Sequence, residues 1–169
     1  LEPNRAARVA AMSYHSLRSF FQAAPLIYIA TTQLAAETAS ADDVATLREI
    51  QSRFKDAIAS NDIDRRVQYN DRFHLEIGHI AGNPYLMPSL RRLLLDHARL
   101  GKIFYRASSP VDMQHDMSTA VHQDDQIIEA IPRHDAPAAG DLVRAHMDLS
   151  RRRMAEYAAP SALDIPIAG

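Results

Sequence analysis

The sequence contains no cysteine. That excludes a disulfide framework and any thiolate metal site, so a metal bound here must be held by nitrogen and oxygen alone. Glycine is scarce, with five residues at positions 78, 82, 101, 140 and 169. Strand-like alternation is absent, as are internal repeats and low-complexity segments. No apolar run approaches the roughly 20 residues that span a bilayer, and there is no signal peptide. A cytoplasmic protein with no membrane partner is therefore expected. Basic charge is not in excess either. There are 19 Lys and Arg against 21 Asp and Glu, a net charge of −2, which makes the chain by itself a poor candidate for binding nucleic acid.

What is present points to one α-helical domain. A chain of 169 residues can bury a substantial core, and 47% hydrophobic with 24% charged residues is ordinary for a globular protein. Ala, Leu, Arg, Glu and Gln are frequent, and apolar residues recur at helical spacing. The reading is all-α, an antiparallel bundle of about six helices around a central metal or ligand cavity. Residues 1–13 read as a linker or incoming helix, 14–157 as the folded domain and 158–169 as a flexible tail. Pro25 is expected to kink or break the first helix, 14–38. Ser40 and Asp43 start the second, which runs to about Ser60. Asn61-Asp62 opens the third, closed at Gly82. Asn83-Pro84 begins the fourth, to about Ala107. The fifth covers Val111–Pro132 and the sixth Pro137–Tyr157.

Histidine is the one abundance, with eight residues. Placed on a wheel of about 100° per residue, Val67, Asn70, His74, Ile77 and Ala81 share one stripe of the third helix. On the fifth helix Met113, Met117, Ala120, Ile127, Ile128 and Ile131 form the stripe, with Asp124 at its centre and His122 on the opposite side. On the sixth, Ala139, Leu142, Val143 and Leu149 flank a central His146. Three helices thus aim polar groups at the core, where each must find a partner or cost free energy. Two His, one Asp and an amide oxygen suit a divalent ion with N/O preference and open positions, whether Zn²⁺, Ni²⁺ or Mn²⁺. A core Asp–His pair without metal is the bland alternative. Asp71 borders the stripe and could take the place of Asn70. His79, His115, His122 and His134 read as surface or helix-end residues, and His97 and Arg99 of the fourth helix could line a cavity.

The block Asn70-Asp-Arg-Phe-His-Leu-Glu-Ile-Gly-His-Ile-Ala-Gly-Asn-Pro-Tyr-Leu86 resembles the D/N-x-x-F-H…A-G-N-P-x-L pattern of the FCD effector domain of GntR-family bacterial transcriptional regulators, FadR-type branch. The block Asp124-Asp-Gln-Ile-Ile-Glu-Ala-Ile131…Asp135…Ala138…His146 resembles that family's second pattern, H-x-x-I-x-x-A-I…D…A…H. The resemblance covers about residues 14–157. It implies a metal site at Asn70, His74, Asp124 and His146, with Zn²⁺ the first choice of ion. Two positions depart from the family: Asn70 stands where Asp is commonest, and Asp124 where His is usual. The carboxylate has moved corner, and the formal ligand charge is kept. Ala24 stands about where Arg is often found.

The resemblance also implies a ligand-sensing role. In the family a winged helix-turn-helix domain binds operator DNA as a dimer, and the FCD domain senses a small molecule, often an organic acid. The chain starts at Leu1 and carries no such DNA-binding domain, so it reads as the sensing half of a homodimeric regulator, excised or truncated. Arg99, with His97, is the candidate contact for an effector carboxylate, because guanidinium forks suit that geometry. A metal-dependent hydrolase is the competing reading, since open positions on a metal could activate water. Glu76 and Glu129 fall off the inner faces, leaving no spare general base, so no enzyme is expected. A purely structural dimerisation bundle is the third possibility.

Overall fold

The computed structural model describes residues 14–107 and 110–158, and side chains over 15–106 and 113–152. The expected linker 1–13 and the tail beyond residue 158 lie outside the described residues. Among the described residues six helices follow one another: α1 Tyr14–Thr38, α2 Ala41–Ala59, α3 Ile63–Ala81, α4 Met87–Ala107, α5 Pro110–Ala130 and α6 Ala136–Ala158. Among the described residues there is no strand, and no helix is long and apolar enough to cross a membrane.

Local chemistry explains the boundaries. Ser40 and Asp43 form a capping box at the start of α2. The Ser40 hydroxyl accepts from the Asp43 N–H at 3.2 Å, and the Asp43 carboxylate accepts from the Ser40 N–H at 2.9 Å. Asp62 caps α3 by accepting from the Arg65 N–H at 3.0 Å. Gly82 ends α3 in the left-handed region, at φ 59°.

The first helix has the expected bounds, and two later boundaries differ from the sequence expectation. Pro25 does not break α1, which runs through it. Ala24 and Tyr28, buried on either side, hold both halves against the core and outweigh the lost backbone bond. Asn83-Pro84 is a turn, not a helix start: the Asn83 side chain accepts from the N–H groups of Tyr85 and Leu86, and α4 begins at Met87. The fifth helix stops at Ala130, and Ile131–Arg133 tightens into a 3-10 turn where Pro132 cannot donate a helix bond.

The chain's first and last helices pack on each other. α1 also lies on α3, α4 spans α3 and α6, and α5 sits between α6 and α2. Tyr28, Phe54, Phe73, Leu47, Ile77, Leu90, Ile127 and Met147 fill the centre. The inward stripes of α3, α5 and α6 therefore meet, and their polar members meet with them.

Candidate functional site

His74, Asp124 and His146 are all buried, between 1% and 3% exposed. His97, from α4, joins them at 2%. The rings of His74 and His146 are 5.6 Å apart and those of His74 and His97 5.7 Å, so three imidazoles from three helices form one cluster. Tyr28 of α1 packs edge-on to His74 at 4.7 Å, and Phe73 does so at 5.4 Å. Asp124 Oδ1 lies 3.5 Å from His146 Nδ1. That is ion-pair range, but neither atom makes a hydrogen bond, and His74 Nε2 makes none either. Three buried polar atoms on three helices thus lack partners at one centre.

Burial dominates the electrostatics. It pushes His74 well below the ordinary histidine value, and the nearby His146 and His97 add to the shift. Burial also holds His97 and His146 down at about 4, His97 with help from His146. Asp124 goes the other way: burial, then the charge of Asp125, drive it well above the carboxylate range. His146 is therefore neutral at pH 7, and the same desolvation favours the uncharged form of Asp124. Neutral imidazole is the metal-binding form of histidine.

Asn70 Nδ2 and Tyr28 Oη each lie 3.4 Å from His97 Nδ1, and Asp71 Oδ1 lies 3.8 Å away. With its proton on Nε2, His97 accepts from both neighbours. The amide of Asn70 is thus turned toward His97. Asp71, raised to about 7 by burial against a lowering hydrogen bond from Asn70, shares that corner. A small cavity of about 30 Å³, room for one water or ion, is bordered by Asn70, His97, Asp116, His146 and Tyr105.

The donor chemistry, three imidazoles and a carboxylate, fits a divalent ion. The donors are not yet gathered, since among the described residues no group of three His, Asp or Glu stands close enough to hold an ion. Arg99 is not brought to the cluster. It is 45% exposed, pairs with Asp96 at 3.3 Å and borders neither the cavity nor the imidazoles. His79, His115, His122 and His134 are exposed, and His134 meets the Ala36 carbonyl at 2.8 Å. Sequence reasoning overlooked Tyr28 and Asp116. Both lie on helical spacings that could have revealed them: Tyr28 continues the series Leu17, Phe20, Ala24, and Asp116 stands two turns before Asp124.

The FCD domain model matches residues 21–149. The chain belongs to the FCD family. FCD domains are the effector-binding, non-enzymatic regulatory domains of GntR-type regulators. The fold is similar to that of Escherichia coli McbR/YncC, with a TM-score of 0.79 at 17% identity over 92% of this chain and 72% of that one. It is also similar to a Streptococcus agalactiae GntR protein, with a TM-score of 0.66 at 19% identity over 80% of this chain and 58% of that one. No curated protein matches the sequence. Within this FCD domain the two motif blocks form the inward faces of α3 and of α5 with α6, the walls of the histidine centre.

Proposed function

We propose that this FCD domain senses a small organic acid at a divalent metal held by His74, Asp124 and His146, and so modulates operator binding by a winged helix-turn-helix domain in a homodimeric, cytoplasmic regulator of the FadR branch. The observation that carries the reading is the convergence of three unpartnered buried atoms: His74 Nε2, Asp124 Oδ1 and His146 Nδ1. Such atoms are expensive to keep unless something satisfies them. Zn²⁺ is the preferred ion, with Ni²⁺ or Mn²⁺ admissible for the same donors. When bound, the metal supplies open coordination positions to a carboxylate.

Asn70 is the position in this set where a carboxylate ligand has been exchanged for an amide. With its Nδ2 directed at His97 Nδ1, it serves best by orienting that imidazole, and His97, which borders the cavity, is the proposed effector contact. Because α3, α5 and α6 each bring a donor, drawing the donors together alters the distances between three helices. An effector that favours one packing over the other shifts the population between them. The present cavity of about 30 Å³ admits no organic acid, so effector entry must open it.

Elemental analysis of the purified chain, with thermal unfolding in Zn²⁺, Ni²⁺ and Mn²⁺, tests the proposal. One bound metal is expected per chain, with a rise in unfolding temperature that His74→Ala and His146→Ala both abolish. Absence of metal together with absence of any shift that depends on these residues would leave a metal-free bundle as the correct reading.

A further inference from the structure

Arg66 is a buried charge for which the histidine centre has no use. Its side chain is 4% exposed, yet among the described residues no carboxylate pairs with it. Nε donates to the Ala57 carbonyl at 3.4 Å. Nη2 donates to the Ile58 carbonyl at 3.1 Å and to Asn61 Oδ1 at 2.6 Å. The two carbonyls end α2, at the negative pole of its dipole, so they orient the guanidinium and offset part of its charge. Nη1 donates to no group among the described residues. The Tyr105 ring, 6.0 Å from Cζ, fixes the fork from the side.

Arg66 borders a groove of about 720 Å³, a volume typical of small-molecule sites. Ile58, Met113, Met117 and Val121 give the groove apolar walls. Lys55 also borders it, but both oxygens of Asp125 hold its ammonium at 2.9 Å. Asp64, the nearby acid on α3, is taken by Lys102 at 2.9 Å. The unbalanced charge in the groove is therefore positive and belongs to Arg66. Tyr105 and Met117 line both this groove and the small histidine cavity.

We infer that this groove is a second ligand site, separate from the histidine centre, that takes a monocarboxylate with an apolar body: the carboxylate on Arg66 Nη1, the body along Ile58, Met113 and Val121. An apolar slot with one oriented guanidinium selects that chemistry over both neutral apolar molecules and small, strongly hydrated anions.

Calorimetric titration of the 169-residue chain with naphthoate, and with naphthamide as the neutral analogue, tests the inference. Naphthoate is expected to bind one to one and at least about tenfold more tightly than the amide, the contribution of charge-assisted hydrogen bonding from Nη1. Arg66→Gln should erase that preference. Arg66 also supports the end of α2, so a second variant leaves it in place: Ser118→Trp, at an exposed position on the groove wall, should abolish naphthoate binding without lowering the unfolding temperature. His74→Ala should leave naphthoate binding unchanged, which separates this site from the proposed metal centre. Equal affinity for naphthoate and naphthamide, or no binding of either, would overturn the inference. So would naphthoate binding that survives Ser118→Trp, or binding lost in His74→Ala.

Discussion

Asp124 is 2% exposed, with Oδ1 unpartnered and an ordinary carboxylate pKa made unattainable by burial. In the metal-free chain such a group weakens the fold, because its desolvation is not repaid by the 3.5 Å approach to His146. Asp124→Leu is therefore expected to stabilise the metal-free protein by about 1 kcal/mol or more in urea unfolding. The same variant should lose the metal-induced rise in unfolding temperature. A variant that is both less stable and still metal-responsive would contradict the role given to Asp124. At this scale the sequence was informative where helical phase governs burial. His74, Asp124 and His146 stand centrally on their stripes, and all three are buried. It was less informative for Arg99 and Arg66, because a long cation can lie outward or inward on nearly the same wheel position. For Arg66 the choice depends on carbonyls at the α2–α3 junction, and for Arg99 on Asp96 of its own helix.

Helix α3 can approach α4 closely because residue 78 has no side chain. A Cβ there would sit 2.3 Å from Leu90 Cδ2 and 3.3 Å from the Met87 side chain, and Leu90 is fully buried with nowhere to retreat. Gly78→Ala would gain helix propensity of roughly 1 kcal/mol, but overpacking in a filled core costs about 1–3 kcal/mol. A net loss of up to about 2 kcal/mol is expected, measured by denaturant unfolding; a stabilised variant would show that α4 can move away freely. Because α3 carries His74 and α4 carries His97, the same substitution should also disturb the imidazole spacing. Element identity was legible throughout, since amphipathic periodicity, Ser40, Asp62 and Gly82 are local signals. The departures fell where other interactions override local rules: Pro25 does not break α1, which its buried neighbours hold together, and Asn83-Pro84 is claimed by a side-chain turn.

Across the whole molecule, pH dependence should carry the imprint of the buried cluster. His74, His97 and His146 have folded pKa values below 6.5, the latter two about 4. Stability from these three is present above pH 6.5 and is lost as pH falls toward 4. Asp71, at about 7, and Asp124, also raised by burial, act oppositely: stability from these two is full below the ordinary carboxylate pKa and is lost as pH rises through their folded values. Below pH 6.5 three imidazoles outweigh two carboxyls. Above it only the carboxyls still titrate. The metal-free chain is therefore expected to be most stable near pH 6.5, with lower unfolding free energy at both pH 5 and pH 8 in the presence of chelator. A monotonic profile across that range would show that the cluster is hydrated rather than sealed. The sequence by itself determined the six helices, their inward stripes and the kinship with FCD domains, because periodicity, caps and motif spacing are properties of neighbours along the chain. Only the tertiary structure decided that His97 completes the imidazole cluster, that Asn70 turns toward it, that Arg99 stays outside and that Arg66 borders a groove with no carboxylate paired to it among the described residues. Each of those outcomes depends on which helices pack together, and contact between distant segments has no signature in the spacing of either one.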